Sequence, residues 1–267
     1  MGRRTGGAGG WACVRAWTFP NDIVESASLQ HGRWAVVQRY TLACSLASGH
    51  DAPMARIVAV AGQKGGSGKS TVAINVASEL HARGLRVLLV DADHQGTAVT
   101  WAGFATESEA DEPPTVAMGD NLRAQLPGMA ESYDWAVIDC PGRGGKRQIA
   151  AMAIADVVLL PCGPSPADAW ALSETAEEIE RVRELRPDLR VAIVANKADR
   201  TAIGASSRKA AGTLGFPSLR ATLGERAAFR EALAAGRGVS RYAGGSVAAN
   251  EVRRLVDELV TFAGAEE

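Results

Sequence analysis

Beyond residue 54 the chain alternates between two hydrophobic patterns. Short, almost unbroken apolar runs occupy 56–61, 86–91, 115–118, 135–139, 157–161 and 190–196, with a weaker one at 218–222. Runs of this length, rich in β-branched residues, read as strands, and their lack of alternation predicts burial on both faces. Between them, stretches with apolar residues every three or four positions read as helices at 70–83, 146–154, 166–185, 224–235 and 246–262. The acidic segment 107–114 ends in two prolines and reads as a surface loop. Strand and helix in alternation predict an α/β fold, a mostly parallel twisted sheet with helices on both faces.

Residues 1–53 break this pattern. They hold three of the six tryptophans, two of the four cysteines and no sustained period of either kind. They read as a poorly ordered N-terminal extension, upstream sequence read from an early start codon, and 54–267 as the folded domain. A genuine small N-terminal module is the alternative. Arg3-Arg4 resembles the start of an export signal, but no clean apolar stretch follows it.

Composition adds limits. The chain of 267 residues carries a net charge of −1, so a nucleic-acid contact needs a local basic patch rather than a global field. No apolar run approaches the length that spans a bilayer. Cys140 and Cys162 lie at strand ends with no metal-ligand spacing and read as small, reduced core residues. Five lysines stand against 24 arginines, and two of the five sit in one glycine-rich loop.

That loop carries the first chemical signal. Gln63-Lys64-Gly65-Gly66-Ser67-Gly68-Lys69-Ser70-Thr71 follows the first strand and opens the first helix. Glycines let consecutive backbone N–H groups face one anion, and a helix N-terminus adds partial positive charge. This makes a phosphate cradle, with Lys69 on the β- and γ-phosphates and the Ser70 hydroxyl on Mg²⁺. The common loop begins with glycine where this chain has Gln63, and it lacks the extra Lys64.

Two strand ends supply carboxylates. Asp91-Ala92-Asp93-His94-Gln95-Gly96-Thr97 places Asp91 near the metal shell and Asp93 near an attacking water. Ile138-Asp139-Cys140-Pro141 ends an apolar strand in one aspartate, the way phosphate-loop enzymes hold Mg²⁺.

With these motifs in order, the chain resembles the ParA/MinD family of deviant-Walker ATPases over about residues 54–263. The likeness continues through Leu160-Pro161, through Pro164-Ser165-Pro166-Ala167-Asp168-Ala169-Trp170, and to the last helix. The Gln-Gly-Thr-Ala-x-x-Trp and Pro-Ser-Pro-x-Asp-x-Trp runs are most similar to the short ParA type, which partitions plasmids or chromosomes or positions other cargo. The resemblance implies a homodimer formed through ATP, with Mg²⁺, slow partner-stimulated hydrolysis and a ParB-like or cargo-adaptor activator. It implies nucleotide binding by Lys64, Gly65, Gly66, Ser67, Gly68, Lys69, Ser70 and Thr71. Lys64 matches the signature lysine that reaches the partner's phosphates, Lys69 the in-chain phosphate lysine, and Asp93 the carboxylate that orients water. Ser70, Asp91 and Asp139 match the metal shell. It also implies a cytoplasmic protein, nucleoid-associated when bound to ATP, with nonspecific DNA contact at Arg226, Arg230 and Arg237. His94 departs from the family's usual proline, which either loosens the switch loop or adds a titrating group.

Asn196-Lys197-Ala198-Asp199 matches the guanine-reading motif of GTPases, while the family's Asn at this strand end contacts adenine; ATP is the expectation and GTP the alternative. A MinD-like membrane ATPase needs a basic amphipathic tail, whereas residues 260–267 are short and acidic, so no membrane contact is expected. Cys140 and Cys162 do not match the bridging pair of an iron–sulfur relative. A nucleotide-binding adaptor without turnover stays open if His94 disables the switch.

Overall fold

The computed structural model describes residues 55–142, 145–198 and 205–264. The expected N-terminal extension lies outside these residues, as does Asp199 of the Asn-Lys-x-Asp motif.

The elements follow in the order β1 (Arg56–Val60), α1 (Lys69–Ala82), β2 (Val87–Asp91), α2 (Thr97–Glu107), β3 (Thr115–Ala117), α3 (Leu122–Ala130), β4 (Trp135–Asp139), α4 (Lys146–Ile154), β5 (Val157–Cys162), α5 (Pro166–Arg183), β6 (Arg190–Ala198), α6 (Ala205–Leu214), β7 (Ser218–Gly224), α7 (Ala227–Ala234), α8 (Val239–Tyr242) and α9 (Val247–Phe262). The seven strands form one sheet in the order β3-β2-β4-β1-β5-β6-β7, and every pair is parallel. Among the described residues no helix is long and apolar enough to cross a membrane.

Each strand feeds two cores because its side chains alternate. Val58 and Val60 join a core beneath α1, α2, α7, α8 and α9; Ile57 and Ala59 join one beneath α3, α4, α5 and α6. Both faces are therefore apolar, which accounts for the unbroken runs in the sequence.

All seven strands predicted from the pattern are present. Four helices, α2, α3, α6 and α8, are not in the predicted set. Pro127 and Gly128 interrupt the nine-residue α3, and α2 opens on Thr-Ala-Val-Thr, a weak local helix signal. The predicted helix at 224–235 begins three residues later, because β7 runs on to Gly224.

The register sets the site. Val60 pairs with Asp139, and Asp139 pairs with Asp91, so three strands end at one level. The chain leaves β1 toward β2 on one side and later returns to build β5 on the other. The loops after β1, β2 and β4 thus converge at the carboxyl edge near a reversal of strand order, where open α/β sheets hold ligands.

Candidate nucleotide site

The loop between β1 and α1 lies over this edge. Gly66 and Gly68 have φ of +75° and +90°, and α1 starts at Lys69 with no side-chain cap and no acidic residue in its first turn. Its first N–H groups are thus left for an outside anion. Gly68 must be glycine on two counts. Its backbone is left-handed, and a Cβ there would stand 2.2 Å from the Asn196 amide nitrogen.

A cavity of about 590 Å³ opens above the loop, lined by Gly65, Gly66, Gly68, Lys69, Ser70, Thr71, Asp93, His94, Gln95, Thr97, Gly142 and Lys197. Its size suits a nucleotide-scale ligand. Lys69 is buried, and desolvation lowers its pKa against the pull of Asp139, Cys140 and Asp93. Its ammonium donates to the Lys64 carbonyl at 3.2 Å. The backbone of Gly142 lies against that ammonium, and a Cβ there would stand 3.4 Å from Nζ.

Asp139 is fully buried, and neither carboxylate oxygen has a hydrogen-bond partner that meets normal geometry. Burial pushes its pKa up to about 7, reinforced by Asp91 and Asp93 and opposed by the Ser70 hydroxyl and by Lys69. A buried carboxylate in this state is short of a cation. With the Ser70 hydroxyl beside it, Asp139 fits Mg²⁺, which takes one or two protein oxygens and completes its shell with phosphate and water.

Asp91 sits at the same level, but its oxygens are engaged. Oδ1 accepts from the Asp93 N–H at 3.1 Å, and Oδ2 accepts from Ala98 and Val99 at 2.8 and 3.0 Å. In this arrangement Asp91 caps α2 and shapes the Asp93 loop. Burial raises its pKa, and those three N–H groups oppose the rise. Asp93 accepts from Gln95 N–H at 3.0 Å and from Gly142 N–H at 3.4 Å, and it faces the cavity. The His94 ring, 72% exposed, lies 3.1 Å from the Asp93 carboxylate.

Lys64 turns away from its own cavity. Its ammonium pairs with Asp168 at 2.5 Å. Asp168 also closes a reciprocal cap with Ser165 at the start of α5, and its carboxylate lies over Gly163, where a Cβ would be 2.5 Å away. Gln63 fills the place of the common loop's first glycine. Its side chain donates to Glu178 and its N–H to Thr175 at 3.2 Å, while Gly62 N–H donates to Gln148. Gln148, Thr175 and Glu178 carry no motif in the sequence, and only the fold brings them to the loop.

Asn196 donates to the Ser67 carbonyl at 2.7 Å, so it braces the loop from the end of β6. The three basic candidates for DNA do not share one environment. Arg226 grips both carboxylate oxygens of Glu251, Arg230 is 72% exposed, and Arg237 borders an acidic pocket with Glu109, Asp111 and Glu112. Cys140 and Cys162 are free and buried, and burial raises both thiols, Cys162 to about 11.

With this geometry in place, comparison with known proteins is direct. The profile of the CobQ/CobB/MinD/ParA nucleotide binding domain matches residues 58–239. The maintenance of carboxysome distribution protein A of Halothiobacillus neapolitanus is 35% identical over 212 residues, covering 76% of this chain and 95% of that protein. The chromosome partitioning protein ParA of Myxococcus xanthus is 33% identical over 180 residues, covering 52% of this chain and 64% of that protein. Among solved structures, the septum site-determining protein MinD complexed with Mg-ADP from Pyrococcus horikoshii superposes with a TM-score of 0.62 at 21% identity, over 79% of this chain and 98% of that one.

Proposed function

The chain belongs to the CobQ/CobB/MinD/ParA nucleotide-binding family, and we propose that it is an ATP-dependent dimerisation switch of the ParA type, which hydrolyses ATP to partition DNA or position a cargo. The two curated relatives named above, one for carboxysome distribution and one for chromosome partitioning, support both branches of that reading. Residues 54–267 form the working unit in this proposal.

One observation carries it. The phosphate loop holds two lysines, the in-chain phosphate lysine Lys69 and the signature Lys64; of the two Lys69 lines the chain's own cavity, and Lys64 is paired with Asp168. A lysine that does not serve its own site can serve a second copy's phosphates once its pair with Asp168 opens. Two chains facing each other across ATP would each lend Lys64 to the other. Hydrolysis removes the shared anion, and the dimer loosens.

The residues divide the work as phosphoryl transfer requires, by position and charge rather than covalent chemistry. Loop N–H groups and Lys69 hold the phosphates. Ser70 and Asp139 would hold Mg²⁺, which neutralises charge on the phosphate oxygens when bound. Asp93, fixed by Gln95 and Gly142, orients a water. Asn196 gives one amide N–H to Ser67 and keeps a second N–H and its carbonyl oxygen, so it is the residue proposed to meet the adenine base. ATP rather than GTP is the nucleotide of this reading. An adaptor activator and nonspecific DNA contact at Arg230 and Arg237 complete the reading, with a cytoplasmic, nucleoid-associated ATP state.

Turnover tests the assignment of Asp93. Asp93→Ala should bind Mg-ATP, slow hydrolysis by about a hundredfold or more, and accumulate dimer. Wild-type turnover in that variant contradicts it.

A further inference from the structure

Three carbonyls of the phosphate loop each accept from a side chain. Lys64 C=O accepts from Lys69 Nζ at 3.2 Å, Gly66 C=O from Lys197 Nζ at 2.8 Å, and Ser67 C=O from Asn196 Nδ2 at 2.7 Å. A trans peptide points its C=O and its N–H in opposite directions. Each held carbonyl therefore aims the next residue's N–H the other way, which concerns Gly65, Ser67 and Gly68. Lys69 and Asn196 already belong to the site. Lys197 lines the cavity with no role yet given to it, and it holds the central peptide of the three.

We propose that Lys197 is a positioning residue of the nucleotide site, fixing the Gly66–Ser67 peptide and with it the backbone shape that the phosphate loop presents to a bound phosphate.

Two independent features support this role. Lys197 adopts φ +52°, one of only two non-glycine residues among the described ones with positive φ. A side chain in that region is strained, and such strain persists where the surroundings fix it and gathers at functional sites. Here the strand β6 loses its regular register between Ala195 and Ala198, and the turn of backbone sends the Lys197 side chain back over the loop. The second feature is lysine usage. The chain has 24 arginines and five lysines; two of those five, Lys64 and Lys69, lie in this loop and a third, Lys197, reaches it from β6. A compact ammonium reaches a single backbone carbonyl beside a phosphate, where a planar guanidinium with five donors fits poorly.

The proposal rests on the nucleotide-site reading and is tested with ADP, which needs no dimer. Calorimetric titration of the full chain with Mg-ADP should show Lys197→Met binding about tenfold more weakly, the usual scale for one charged hydrogen bond. The melting temperature without nucleotide should not change. Lys197→Arg, which keeps a donor, should recover part of the loss. Affinity of Lys197→Met within about twofold of wild type overturns the role. So does a loss that tracks a lower melting temperature and is not recovered by arginine, since that marks a fold contact only. Lys69→Met run alongside should bind no ADP; if it binds normally, the site reading itself fails and this role with it.

Discussion

Lys64 and Asp168, 104 residues apart in sequence, form an ion pair across the mouth of the phosphate loop. The lysine that the proposed dimer needs is therefore already engaged within its own chain. Using it across an interface requires breaking this pair, and Asp168 is also half of the cap that starts α5.

Asp168→Asn should weaken the hold on Lys64 while leaving a side chain able to cap. The expected outcome is ATP-dependent dimerisation at about three- to tenfold lower ATP, read by light scattering, since one part-exposed ion pair is worth up to about 1 kcal/mol. An unchanged or higher ATP requirement would show that the pair does not restrain Lys64. Trp170, two residues on and 73% exposed, offers a fluorescence readout of the same event.

Gly68→Ala places a methyl against the Asn196 amide and demands a left-handed backbone from alanine. It should lower stability by about 1–3 kcal/mol and weaken nucleotide binding through the displaced Asn196. Thermal unfolding with and without ADP checks both.

Asp139 gives a pH signature. Its pKa, raised by burial to about 7, lies above that of an unfolded aspartate. Between roughly pH 4 and 7 the folded chain then holds more protons than the unfolded one, and the nucleotide-free protein loses stability as pH rises through that window. Asp139→Asn should raise the melting temperature at about pH 8 by several degrees and change it less at about pH 5. Binding of Mg-nucleotide to the wild type at about pH 6 should release a proton, seen as a buffer-dependent heat; no buffer dependence would contradict the assignment of Asp139.

Arg226 is held by the part-buried Glu251, whereas Arg230 meets only the exposed Glu225, at 4.0 Å, and Arg237 borders the acidic pocket. Arg226→Ala should cost about 1 kcal/mol of stability because it takes the guanidinium from a largely buried Glu251 carboxylate, which keeps the Gly224 N–H. Arg230→Ala and Arg237→Ala should leave stability unchanged and reduce salt-sensitive DNA binding. Equal DNA affinity in the double variant would remove both from the site.

The sequence displayed the parts of the site that are contiguous. The phosphate loop, Asp91, Asp93 and Asp139 stand at strand ends marked by apolar runs, and the register brings those ends to one level. What it did not display depends on distance. Gln148, Thr175 and Glu178 reach the loop only because α4 and α5 pack beside it. The engagement of Asp91 with Ala98 and Val99 was hidden because α2 has a weak helix signal and is fixed by that very contact. Lys197 stood in the open within Asn-Lys-x-Asp, but the motif points to a base, while the structure sends its ammonium to the Gly66 carbonyl.

Light scattering of wild type and Lys64→Ala, each with Mg-ATP and with Mg-ADP, tests the central claim most directly. The account predicts a dimer only for wild type with ATP, and monomers in the other three samples. A Lys64→Ala dimer with ATP as abundant as that of the wild type would contradict it.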